Sequence, residues 1–170
     1  AQIGKLYELY AKALRDANAL DFDDLLLKTV ELFEKAEVVQ ERYSKKFVHV
    51  MVDEYQDTNR PQYLLIQRLA AHHRNLCVVG DPDQSIYKWR GADLRNILDF
   101  EHDFPEARIV KLERNYRSTQ VILDAASSVI SQNRNRKDKR LYTERKGGAK
   151  ILYYRAGDDL DEAEFIARTA

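Results

Sequence analysis

The sequence predicts an α/β fold, a parallel sheet flanked by helices. Three stretches predict it. Residues 47–52 are apolar apart from His49, rich in Val, and stop abruptly at Asp53-Glu54. Residues 76–79 repeat the pattern one helix later and stop at Gly80-Asp81-Pro82-Asp83. Residues 109–112 make a third apolar run, ending in Glu113-Arg114-Asn115-Tyr116-Arg117. Runs of this kind suit strands buried on both faces of a parallel sheet.

In chain order, residues 2–17 carry Ile3, Leu6, Tyr7, Tyr10 and Leu14 at helical spacing. Asp21 suits the N-cap of a second helix through Leu25, Leu26, Val30 and Phe33. Residues 38–46 read as a short helix or turn before the first strand. Pro61 fits the first turn of the next helix, with Leu64, Leu65, Ile66 and Leu69 apolar. After the second strand comes a polar loop holding Tyr87 and Trp89. Residues 92–104 then read as one helix, stopped by Pro105. Ser118 or Thr119 caps a helix to about residue 131. A basic run follows, with Arg134, Arg136, Lys137, Lys139 and Arg140, and Gly147-Gly148 marks a turn. Residues 151–154 read as a fourth strand, with Tyr153 and Tyr154 packing in it. Acids at 158–164 open a last helix, as the helix dipole favours.

The 170 residues are 44% hydrophobic, enough to build a core. Lys+Arg and Asp+Glu are both 28, so overall charge favours no class of partner. A single cysteine, Cys77, excludes an intramolecular disulfide and a cysteine zinc site. It reads as a small buried hydrophobe, and the setting as reducing and cytoplasmic. No apolar run approaches the roughly 18–20 residues of a membrane span. Both ends read as cut, so a fragment of a longer protein is expected.

In an open α/β sheet, ligands bind at the carboxyl ends of strands. Asp53 is placed there to hold a hydrated magnesium ion, and Glu54 to take a proton from an attacking water. Acids also close strands with no chemistry attached, and this stretch alone does not choose. Gln84, beside a second strand end, carries both donor and acceptor. It suits sensing a terminal phosphate or orienting water; it also suits a plain polar turn. Tyr87, Trp89 and Arg90 combine aromatic faces for unpaired bases with a cation for phosphates. The alternative is Trp89 packed inward as a loop anchor. Arg117 suits bidentate contact with a terminal phosphate, and Tyr116 stacking on a purine. The alternative pairs Arg117 with Glu113 and buries Tyr116 in the core.

Three segments carry a resemblance. They are Val-Asp-Glu-Tyr-Gln-Asp-Thr-Asn at 52–59, Gly-Asp-Pro-Asp-Gln-Ser-Ile-Tyr-Lys-Trp-Arg-Gly-Ala at 80–92, and Leu-Glu-Arg-Asn-Tyr-Arg-Ser at 112–118. In order and spacing they resemble motifs II, III and IV of the UvrD/Rep/PcrA family of superfamily I DNA helicases. Leu-Asp-Phe-Asp-Asp-Leu at 20–25 resembles a further motif of that family. The resemblance spans nearly the whole chain. It implies a RecA-like P-loop NTPase motor that uses ATP and Mg²⁺ to move 3′ to 5′ on single-stranded DNA and to unwind 3′-tailed duplex. It further implies Asp53 as the magnesium acid, Glu54 as catalytic base beside it, and Gln84 as the link between γ-phosphate and DNA. Tyr87, Trp89 and Arg90 would line the DNA path, Tyr116 would stack on adenine, and Arg117 would contact the γ-phosphate.

One departure matters. No Gly-x-x-x-x-Gly-Lys-Ser/Thr phosphate loop occurs in this sequence, nor do the later motifs V and VI. The resemblance therefore divides the chain into three. Residues 1–20 are the end of an accessory helical region, 21–115 the later half of a first motor domain, and 116–170 the start of a second. The remaining portions of the same helicase are then its partners, with no membrane partner. The piece alone is not expected to be active. Two rival readings stand beside this one. One is a non-catalytic single-stranded-DNA-binding or partner-docking module. The other is a metal-dependent nuclease on Asp53, Glu54, Asp81 and Asp83.

Overall fold

The computed structural model describes residues 2–133, 136 and 139–169. Arg134 and Lys137 of the basic run lie outside the described residues. The chain divides into two compact units, Ala1–Arg108 and Ile109–Ala170.

The first unit opens with helix α1 (Gln2–Asp16). Helix α2 (Phe22–Lys35) follows, capped by Asp21, whose carboxylate accepts the Asp24 N–H at 2.8 Å. Tyr10 Oη donates to the same carboxylate at 3.0 Å and ties the two helices together. The Asp24 bond first, and then the Tyr10 bond, hold the Asp21 carboxyl below the usual range. Helix α3 (Glu37–Lys46) leads into strand β1 (Val50–Val52).

Helix α4 (Arg60–Ala70) begins with a reciprocal capping box. Asn59 Oδ1 accepts the Gln62 N–H at 3.0 Å, and Gln62 Oε1 accepts the Asn59 N–H at 2.9 Å. Asn59→Ala is expected to cost about 1 kcal/mol, read as a lower denaturant midpoint with unchanged slope. Strand β2 (Leu76–Val78) then pairs parallel to β1, in the register Val50↔Leu76, Met51↔Cys77, Val52↔Val78.

The core sits on one side of this two-stranded sheet. Tyr55, Tyr63 and Ile66 are buried, and Val50, Val52, Leu76, Val78, Ile97 and Phe100 pack against them. Tyr55 meets Phe100 edge-on at 5.6 Å. Burial pushes the Tyr55 hydroxyl up to about 12. Tyr63 Oη, also buried, donates to Asp103 at 2.6 Å. The other face differs from the expectation of strands covered on both sides. Met51 and Cys77, paired in register, are both exposed. Strand side chains alternate between faces, and helices cover one face here. Cys77 is therefore an exposed thiol and not a buried hydrophobe.

The expected helix over 92–104 forms as two short ones, α5 (Arg95–Leu98) and α6 (Phe100–Asp103). Between them Asp99 leaves helical geometry at φ −90°, ψ 3°. The break turns Phe100 onto Tyr55.

The second unit holds α7 (Gln120–Ile130) and α8 (Asp159–Thr169). The strands expected at 109–112 and 151–154 do not form. A single parallel bridge joins Arg114 to Tyr142. Ile109, Val110 and Leu112 are exposed and meet no ladder among the described residues. An apolar run becomes a strand only where a neighbour takes its backbone hydrogen bonds. Tyr154, expected in strand packing, instead stacks on Phe165 of α8 at 4.0 Å and donates to Asp161 at 2.7 Å.

Candidate nucleotide and nucleic-acid site

In the first unit, two adjacent strand ends carry the candidate residues. Val79 N–H donates to the Val52 carbonyl at 2.8 Å, and Tyr55 N–H to the Val79 carbonyl at 3.0 Å. The segments after β1 and β2 therefore leave the sheet side by side. Glu54 takes a left-handed conformation, φ 48° and ψ 42°. For a residue with a Cβ this costs of order 1–3 kcal/mol. The fully buried Tyr55 anchors it. The turn drives Tyr55 into the core and leaves the Asp53 and Glu54 side chains exposed at the end of β1. Asp53 Oδ1 accepts the Glu54 N–H at 2.9 Å.

Gln56 joins the two strand ends. It is 1% exposed. Its Nε2 donates to Glu54 Oε2 at 2.8 Å and to Asp57 Oδ2 at 3.3 Å. Its Oε1 accepts the Asp81 N–H at 3.0 Å. Its backbone carbonyl accepts from Ser85 Oγ at 3.3 Å. The sequence reading passed over Gln56. The available signal was a neutral amide between Glu54 and Asp57, the one side chain there able to donate to both.

The loop from Gly80 to Gly91 is pinned at both ends. At its start, a Cβ on Gly80 would stand 2.6 Å from Gln56 Oε1, so the close approach requires glycine. Asp81 Oδ1 accepts the Asp83 N–H at 2.9 Å, and Asp81 Oδ2 accepts from Gln84 Nε2 at 2.8 Å. Gln84 itself is exposed. At the far end Gly91 turns the chain at φ 87°. Ala92 then bridges to Asn59, and Asn96 donates to the Thr58 carbonyl at 3.0 Å.

Between the pins the loop shows its aromatics to solvent. Trp89 is 75% exposed, which removes the alternative of an inward anchor. The Arg90 guanidinium lies 4.6 Å from the Trp89 ring and 5.1 Å from the Tyr87 ring. Three flat groups thus form one exposed cluster of aromatic faces and positive charge.

In the second unit, Asn115 Oδ1 accepts the N–H groups of Arg117 at 2.9 Å and Ser118 at 2.7 Å. This turn sets the backbone ahead of α7. Tyr116 is 73% exposed, so it does not fill core space. Its ring lies 4.9 Å from the Arg114 guanidinium, and Arg114 pairs with Glu144. Glu113 accepts from the Arg140 backbone N–H at 2.9 Å. The Arg117 guanidinium is exposed and makes no bond among the described residues.

Among the described residues no group of three or more His, Cys, Asp or Glu is placed to hold a metal. Magnesium keeps most of its waters and takes one or two carboxylates together with substrate phosphates. An exposed carboxylate, Asp53, stands at the end of β1.

Two family models match. The model described as UvrD/REP helicase N-terminal domain covers residues 1–105, and the UvrD-like helicase C-terminal domain covers 110–170. The chain is similar to the ATP-dependent DNA helicase PcrA of Bacillus subtilis, 53% identical over 165 residues. That match takes in 97% of this chain and 22% of the relative. PcrA of Staphylococcus aureus is 54% identical over 98% of this chain and 23% of its own length. PcrA of Staphylococcus epidermidis is 52% identical over the same shares. The chain thus spans under a quarter of the length of these relatives. With the motif segments at 52–59 and 80–92 joined through Gln56 and both models matched in order, the chain belongs to the UvrD/REP helicase family.

Proposed function

We propose that this chain is part of an ATP-dependent DNA helicase that couples ATP hydrolysis to 3′-to-5′ movement on single-stranded DNA and to unwinding of 3′-tailed duplex. One observation carries the reading. A hydrolysis-type carboxylate, Glu54, and an exposed aromatic–cation cluster, Tyr87, Trp89 and Arg90, belong to segments hydrogen-bonded through one buried amide. The family's known relatives, each called an ATP-dependent DNA helicase, support it.

In this reading a water attacks the γ-phosphorus in line. Its O–P bond forms as the bond to the β–γ bridging oxygen breaks, and its proton passes to Glu54 Oε. Gln84 and Arg117 contact the γ-phosphate, and Tyr116 stacks on the adenine. Magnesium, when bound, supplies positive charge against the phosphates, with Asp53 as its protein ligand. Loss of the γ-phosphate releases Gln84, and the loop carries that change to Trp89 at the DNA. The phosphate loop belongs to the remaining portions of the same helicase. In the same reading residues 1–20, 21–115 and 116–170 are parts of an accessory region and two RecA-like motor domains. No described helix is long and apolar enough to cross a membrane. A cytoplasmic setting is part of the proposal.

The test uses the full-length protein. ATP hydrolysis is measured with and without single-stranded DNA, and strand separation on a 3′-tailed duplex. Hydrolysis that ignores DNA sinks the reading. Trp89→Ala is expected to weaken single-strand affinity by about 1–3 kcal/mol, some fivefold to 150-fold, in a fluorescence anisotropy titration. The substitution removes an exposed ring, so the melting temperature stays put.

A further inference from the structure

We propose that Gln56 is a positioning residue. Its buried carboxamide orients the Glu54 carboxylate and ties it to the head of the 80–91 loop. The inference rests on the reading of Glu54 as the group that takes the water's proton, and it deepens that reading.

The argument starts from what the position demands. Two carboxylates, Glu54 and Asp57, approach one side of the amide, and a backbone N–H, that of Asp81, approaches the other. These contacts fix the amide orientation: nitrogen toward the acids, oxygen toward the N–H. A Glu at this position would offer acceptors to two acids. A Lys would offer only donors, and an Asn falls one methylene short.

Gly80 gives an independent sign of the same fit. The space a side chain would need there is taken by Gln56 Oε1, at 2.6 Å from an ideal Cβ. Asp81, to which the amide is bonded, in turn holds Gln84 Nε2 at 2.8 Å. A continuous line of hydrogen bonds thus runs from Glu54 through Gln56 and Asp81 to Gln84. Glu54 is exposed and its backbone is left-handed, so its carboxylate has no packing to orient it. Among the described residues, Gln56 is the one group that does so through a side-chain bond.

The test uses the full-length protein with two variants. Gln56→Glu keeps shape and an acceptor for Asp81 but removes both donors. Gln56→Met keeps volume and removes every polar contact. In both, DNA-stimulated kcat is expected to fall roughly tenfold to hundredfold, as a misplaced catalytic group does. KM for ATP and the Kd for single-stranded DNA stay within about twofold, because only the step in which Glu54 acts is affected. Gln56→Met is further expected to lower the ratio of DNA-stimulated to basal hydrolysis.

Unchanged kcat and unchanged stimulation overturn the inference. So does a parallel loss of ATP affinity, DNA affinity and melting temperature, which marks a structural role. If Gln56→Glu does not fold, Gln56→Met decides, and failure of both to fold counts as structural and overturns it. Glu54→Gln, run alongside, separates the two levels. If that variant keeps its turnover, the reading of Glu54 falls and this inference with it. If it loses turnover while the Gln56 variants do not, the inference alone falls.

Discussion

Replacing Glu54 with Gln in the full-length protein is expected to lower DNA-stimulated ATP hydrolysis by roughly 10²–10⁴-fold. The substitution exchanges one oxygen for an amide nitrogen and removes the proton acceptor. Little else changes. The side chain is exposed, so no packing is lost. The backbone stays left-handed at the same cost, because Gln and Glu share the same Cβ crowding. A neutral amide oxygen can still accept from Gln56 Nε2. Nucleotide affinity, read with a fluorescent ATP analogue, therefore holds while phosphate release at saturating ATP and DNA collapses. Turnover near that of the parent protein would remove Glu54 from the chemistry.

Arg117→Ala is expected to be as severe, lowering kcat by about 10³-fold or more, the range seen when an arginine that stabilises a transferring phosphoryl group is removed. The structure makes this variant informative. The Arg117 guanidinium supports nothing else among the described residues. The backbone is held through its own N–H and carbonyl, by Asn115 Oδ1 and by the Arg145 guanidinium. Melting temperature and DNA affinity should therefore stay at the parent's values. Arg117→Lys restores the charge without the planar fork of donors, so it recovers only part of the rate. Single-turnover hydrolysis on DNA measures both variants. A loss under about tenfold in the Ala variant would place Arg117 outside the phosphate contact.

The two variants probe different units, and they differ in how their sites are built. Glu54 depends on a buried neighbour, Gln56, and on the anchor Tyr55. Arg117 depends on a local turn made by Asn115.

Much of the first unit was legible in the sequence because its signals are local. Asp21 caps the helix that its position announces, and Pro61 sits in the first turn of the helix it marks. Two apolar runs ended by acids became two parallel strands in register. The motif segments at 52–59 and 80–92 identified the family, since long runs of specific side chains carry information that does not depend on folding. Tertiary structure decided the rest. Whether 109–112 becomes a strand depends on a partner for its backbone, and that is not written in the run itself. Whether Cys77 is buried depends on what covers the second face of the sheet. Trp89 is exposed in a stretch flanked by distant contacts, Asp81 to Gln56 and Asn96 to Thr58, that no periodicity reveals. Gln56 itself is the clearest case. Its three side-chain contacts reach Glu54, Asp57 and Asp81. The third is 25 residues away along the chain and becomes a neighbour only when β1 and β2 lie side by side.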